Sequence, residues 1–371
     1  MKKFSQFDPW ISSSEIKEVN KMMRNGWNNY NYVEKFEKTF AKWHGKKFAL
    51  MTSCCTHAIH LALKSINLKN TDEVIVPDST WISSAFPIAY ENATPIFVDV
   101  SLNNWCIDEK KILSAITRNT KAIIFVDLFG NMPNIEKLIE ISKKYKLYLI
   151  EDAAEALGTI YNRKKAGTFG DISVFSFHRS KTITTGEGGM ILTDNKLLYE
   201  KCKHHRDLGR LKNKPYYSTS VSPKYMPSNF EGCLGLSQFK RINKLLKKKR
   251  EIFNTYKKNL EKLGAFQFNV DNESTKNSFW ATTVIINKNI NLTANTFRRK
   301  LLYYNIPTRP FFYPLSKMKA FKNYGLKGNF NNPTSVYLEK KGLTLPSGYN
   351  LKKKQIKFIC KKIEDILSDY I

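Results

Sequence analysis

Five short apolar runs, separated by helix-period stretches, constrain this chain more than any other feature. They are Phe48-Ala49-Leu50-Met51, Glu73-Val74-Ile75-Val76-Pro77, Pro95-Ile96-Phe97-Val98-Asp99-Val100, Ala122-Ile123-Ile124-Phe125-Val126 and Leu147-Tyr148-Leu149-Ile150. Helical patterns fall between them, through His57–Leu63 and from Asn134 to Tyr145. A strand exposed on one face alternates apolar with polar residues, whereas these runs are apolar almost throughout. They therefore predict an α/β fold, with a mixed, mostly parallel sheet covered by helices on both faces. Sheets of that kind bind ligands beyond the carboxyl ends of their strands. The residues that follow each strand are thus the place to look for chemistry.

The 371 residues, 42% of them hydrophobic, suffice for a large domain and a smaller partner. Ser12 and Glu15 have capping-box spacing ahead of a helix whose apolar face would be Ile16, Val19, Met22 and Met23, ending at Gly26. Ser228-Asn229-Phe230-Glu231 repeats that spacing and opens a long helical pattern through Leu234, Ile242, Leu246 and Ile252. The pattern predicts a crossing from a large domain, residues 1–245, into a small C-terminal α+β domain, residues 246–371. Strand-like Ala281–Ile286, a helix near Thr296–Tyr303 and a last helix over Lys353–Tyr370 belong to the second part. No internal repeat and no disordered linker stands out.

The formal net charge of +29 would attract polyanions, but the basic runs (Lys247–Arg250, Lys352–Lys354) are short and set in helical patterns. A solvated lysine-rich surface is the simpler reading, with no nucleic acid as partner. Six cysteines are too few for a disulfide framework, and no cysteine or histidine spacing suits a metal. No apolar run approaches the roughly 18 residues of a membrane span. Met1–Pro9 is basic at its start but has no apolar signal core, so a soluble cytoplasmic protein is expected.

Three features stand at strand ends. The turn Thr52-Ser53-Cys54-Cys55-Thr56 leads into a helix, where hydroxyls could seat a phosphate or merely cap the helix. Glu151-Asp152-Ala153-Ala154-Glu155 follows the fifth run; a carboxylate there could hold a ring nitrogen protonated, or could complement a helix dipole. Asp171–His178 runs as a strand into Arg179-Ser180-Lys181, before Thr185-Gly186-Glu187-Gly188-Gly189. Lys181, 29 positions after Asp152, is placed to form a Schiff base. Lysine, aspartate and phosphate seat together describe a pyridoxal 5′-phosphate site.

On these residues the chain resembles the DegT/DnrJ/EryC1/StrS sugar aminotransferases. The resemblance runs through Glu151–Gly158, Gly170-Asp171, Ser176–Lys181, Thr185–Gly189, Arg309-Pro310-Phe311-Phe312-Tyr313-Pro314 and Leu343–Gly348. Glu155 and the Arg309–Pro314 stretch are most similar to perosamine-forming members. The resemblance implies a fold type I pyridoxal phosphate-dependent transferase working as a homodimer. Lys181 would be the Schiff-base lysine and proton shuttle, and Asp152 the partner of the pyridinium nitrogen. Trp81 would stack on the ring, and Glu155 would lie near its hydroxyl. Thr56, the His57 backbone and Ser176 would hold the phosphate, with Lys224 supplied to it from the second subunit.

The implied reaction moves an amino group from glutamate, releasing 2-oxoglutarate, through pyridoxamine 5′-phosphate to C4 of a nucleotide-linked 4-keto-6-deoxyhexose. C4 amination of a UDP- or dTDP-sugar and C3 amination are alternatives. The family's 3-dehydratases typically carry histidine in place of the lysine, so Lys181 speaks against that chemistry; a non-catalytic basic regulator is the remaining rival. Three departures from the family pattern stand out. Cys55 occupies a glycine position of the phosphate turn, Trp27–Asn31 replaces a Ser/Gly-rich substrate loop, and Ser316 stands where many relatives have histidine.

Overall fold

The structure is a computed structural model in which residues 4–322 and 331–371 are described. The basic start Met1–Lys3 and residues 323–330 lie outside them. All five apolar runs are strands of one seven-stranded sheet. Its order is Phe48–Thr52, Gly189–Thr193, Ile172–Ser176, Tyr148–Asp152, Thr120–Val126, Glu73–Pro77 and Thr94–Val98. Gly189–Thr193 is antiparallel to both its neighbours, and the remaining pairs are parallel.

Successive residues of a strand point to opposite faces, and here both faces are buried. Leu50, Val74, Ile124, Ile150, Val174 and Ile191 join the core on one side. Met51, Ile75, Ile123, Leu149, Phe175 and Leu192 join the core on the other. This double burial is why the strands read as continuous apolar runs.

The C-terminal part builds a four-stranded antiparallel sheet from Phe266–Phe268, Thr283–Ile286, Gly342–Thr344 and Arg309–Pro310. Helices Ile242–Leu260, Ala294–Tyr303 and Lys353–Leu367 contribute to a third apolar core with it. The helix Ile242–Leu260 passes through position 245/246 without a break. The chain's first residues also pack here, Gln6 and Asp8 accepting from the backbone N–H groups of Ser347 and Tyr349.

Two helical expectations need correction. The first helix, Ser13–Asn25, has the capping box of Ser12 and Glu15, but its apolar face is not the buried one. Met22 is buried while Ile16 and Met23 are more than half exposed. The inward side carries Glu15, whose carboxylate pairs with Arg241 at 2.6 Å. The long pattern from residue 228 is two helices, Asn229–Phe239 and Ile242–Leu260. Neither proline nor glycine marks the break at Lys240-Arg241; Arg241 instead reaches Glu15 and the Trp10 carbonyl, contacts invisible to a local pattern.

Candidate active site

The carboxyl ends of the central strands bring the chemistry together. Asp152 ends its strand in a buried position. One carboxylate oxygen accepts from the Ser84 hydroxyl at 2.7 Å, the other from the Ala154 N–H at 3.2 Å. Burial raises its pKa, while these hydrogen bonds and the charge of Lys181 pull the other way. A desolvated carboxylate so placed is stabilised further by a cation brought beside it.

Lys181 lies five residues beyond the strand Ile172–Ser176. Its Nζ is 3.2 Å from Glu155 Oε1 and 4.0 Å above the centre of the Trp280 ring. The other Glu155 oxygen accepts from the Phe129 N–H at 3.0 Å, with Phe129 held in the left-handed region at φ 54°. Glu155 is thereby fixed at one end and offers its second oxygen to the lysine.

The turn expected to seat the phosphate lies at the end of the edge strand Phe48–Thr52, one strand beyond Ile172–Ser176. Thr56 sits in the first turn of the helix Cys55–Ser65, and its hydroxyl donates to Ser83 at 2.9 Å. Cys54 is the extended N-cap, and Cys55 is not among the described residues with left-handed backbone. The turn therefore does not need glycine's freedom at position 55. Glycine is needed across from it, because a Cβ on Gly189 would come 2.6 Å from the Cys54 carbonyl oxygen. Ser176 ends its own strand, its hydroxyl accepting from the His178 N–H at 3.3 Å. The His57 ring stacks on Tyr225 at 3.7 Å and bonds the Ser53 hydroxyl, so its side chain is engaged away from the turn's backbone.

Trp81 precedes the short helix Ile82–Ser84 that carries Ser84 to Asp152. Trp81 is 61% exposed, with one described ring neighbour, Phe312, at 6.3 Å, which leaves room for stacking. Lys224 is not brought to the cluster within the chain; it pairs with Asp207, and its neighbour Tyr225 packs on the turn.

Sequence reasoning passed over Ser84, Phe129 and Trp280. Ser84 looks like any serine after Trp81. Trp280 lies 99 positions from Lys181, in the other half of the chain, and nothing local announces their contact.

The family model described as the DegT/DnrJ/EryC1/StrS aminotransferase family matches residues 9–364. The chain belongs to this family. Two relatives bear the name GDP-perosamine synthase. The protein from Escherichia coli O157:H7 is 36% identical over all of both chains, and that from Vibrio cholerae is 33% identical over 97% of this chain and 98% of its own. Among solved structures, the Helicobacter pylori aminotransferase PseC has the same fold, with a TM-score of 0.92 over the whole of both chains at 24% identity. As a member of the DegT/DnrJ/EryC1/StrS aminotransferases, the chain is a pyridoxal 5′-phosphate-dependent sugar aminotransferase. Its residues fit the cofactor: a buried carboxylate for the ring nitrogen, a lysine amine nearby, and hydroxyls over a glycine-backed turn. Among the described residues, no three metal-binding side chains group together, and no helix is long and apolar enough to cross a membrane.

Proposed function

We propose that this DegT/DnrJ/EryC1/StrS family member transfers an amino group from glutamate to C4 of a GDP-linked 4-keto-6-deoxyhexose, making a perosamine-type sugar for surface polysaccharide. Lys181 beside Glu155, near enough to the buried Asp152 for its charge to act on that carboxyl, carries the reaction class. Full-length similarity to two proteins named GDP-perosamine synthase supports the substrate.

The cofactor, when bound, supplies an electron sink for the carbanion formed as a Cα proton leaves. The chain's own residues do the rest. Lys181 Nζ would hold the cofactor covalently and, when free, would take and return the proton at the reacting carbon. Glu155 holds that amine in place, and Asp152, oriented by Ser84 and Ala154, would keep the ring nitrogen protonated. Thr56, the His57 N–H and Ser176 would hold the phosphate, and Trp81 would cover the ring. In the working enzyme, a cytoplasmic homodimer in this reading, Lys224 exchanges Asp207 for the phosphate in its partner's site.

Borohydride reduction followed by peptide mass mapping tests the site, with a reduced pyridoxyl adduct expected on Lys181 and lost in Lys181→Ala. A panel of GDP-, UDP- and dTDP-ketosugars with glutamate, read by product mass, tests the substrate. A product from the GDP-4-keto sugar alone, its keto oxygen replaced by an amine and a hydrogen, is the expected result; equal turnover of the dTDP-sugar overturns the nucleotide assignment.

A further inference from the structure

We propose that Trp280 is a positioning residue whose indole face seats the Lys181 amine whenever that lysine is not bonded to the cofactor. The inference rests on the reading of Lys181 given above and goes beyond it. Lys181 has two working conditions, bonded through Nζ and free. A free amine on a four-carbon stem would ordinarily wander among rotamers, and in a cleft it also loses water. The structure holds the free amine in one place, 4.0 Å over the Trp280 ring and 3.2 Å from Glu155.

The seat itself is rigid. Trp280 is 4% exposed, and its Nε1–H donates to the Ser180 carbonyl at 2.7 Å, one residue from Lys181. Phe7 stacks on it at 5.1 Å and 2°, and Phe129 at 6.0 Å and 7°. Phe129 also anchors Glu155, so both contacts of the lysine amine share one support. A cation over an indole face gains from the ring's negative quadrupole, and more so where water is thin.

The thermodynamic consequence is specific. The free enzyme and its complex with pyridoxamine 5′-phosphate both leave the lysine on the indole. The complex with pyridoxal 5′-phosphate takes it off, because Nζ becomes the bonded atom. Removing the indole face therefore favours the aldehyde complex without touching affinity for the amine form. For Trp280→Leu, the ratio of the Kd for pyridoxal phosphate to that for pyridoxamine phosphate should fall about 2- to 30-fold, the range expected for one cation–π contact.

Both Kd values are measured by fluorescence titration of the cofactor-stripped full chain. A merely structural tryptophan would weaken both complexes alike, so an unchanged ratio overturns the proposal, and so does a rise. Fluorinated tryptophans placed at position 280 keep the ring's shape while draining its face. They should lower the ratio stepwise with each fluorine, and a flat series overturns the proposal even if Trp280→Leu does not fold. Borohydride mapping separates the two ideas: an adduct on another lysine sinks the site reading, whereas an adduct on Lys181 with a constant ratio sinks only the role of Trp280.

Discussion

Ser84 shows how little the proposed partner of the ring nitrogen rests on. Its hydroxyl makes the shorter of the two hydrogen bonds described to the Asp152 carboxylate, and it favours the charged form against a burial that disfavours it. Hydrogen bonds to charged groups contribute about 1.5–3 kcal/mol, so Ser84→Ala should lower kcat roughly 10- to 100-fold. Losing a contact that lowers the pKa of Asp152 raises that pKa further. The acid limb of the kcat–pH profile should thus move to higher pH, and an unmoved limb would show that Ser84 acts elsewhere. Asp127 carries the opposite lesson. It is fully buried, and burial together with the neighbouring Glu151 charge holds its pKa well above the usual carboxylate range. It keeps its proton in the folded chain and loses it in the unfolded one, so wild-type stability falls as pH rises above about 4. Asp127→Asn removes that penalty. Its melting temperature should exceed the wild type's at pH 8, with the gap closing toward pH 4.

At the scale of elements, the strands were legible because their burial on both faces writes itself into composition, and Glu73–Pro77 matches its apolar run end to end. The antiparallel strand Gly189–Thr193 was not assigned, since the glycine-rich turn before it drew attention to chemistry instead. Asp152 and Lys181 were singled out because strand ends are where such a sheet binds its ligands. Trp280, Phe129 and the break at Lys240-Arg241 depend on contacts between distant stretches, and no local period records those. The helix Asn31–His44 ends on a residue with a testable cost. Cations ordinarily gain at a helix C-terminus, yet His44 is buried, and desolvation outweighs the hydrogen bond to the Phe40 carbonyl, lowering its pKa to about 3. A histidine neutral when folded and near 6.5 when unfolded contributes stability that is whole above about 6.5 and lost progressively as pH falls toward about 3. His44→Phe, set among Phe40, Trp43 and Phe175, should flatten the decline of melting temperature across that window.

Across the whole molecule, the Lys181 amine is supported by residues from both ends of the chain. Phe7, near the N-terminus, stacks on Trp280 and lies 4.6 Å beneath the Arg309 guanidinium and 5.8 Å from the Lys249 amine. Lys249 is itself buried, donates to the Ser347 carbonyl at 2.8 Å, and lies over Tyr349, whose hydroxyl reaches the Thr182 carbonyl beside Lys181. Phe7 thus ties the C-terminal sheet to the lysine loop. Phe4 provides the control, because it packs against the third core and stacks on the exposed Phe358, away from the site. Each phenylalanine is partly buried, so replacing either by alanine should cost about 1–3 kcal/mol and lower the melting temperature by a few degrees. Phe7→Ala should in addition lower kcat several-fold and shift the cofactor Kd ratio in the direction of Trp280→Leu, while Phe4→Ala leaves both unchanged. Equal kinetic behaviour of the two variants would mean that the N-terminal segment only adds stability, and that the indole is held firmly enough by Ser180 and Phe129 alone.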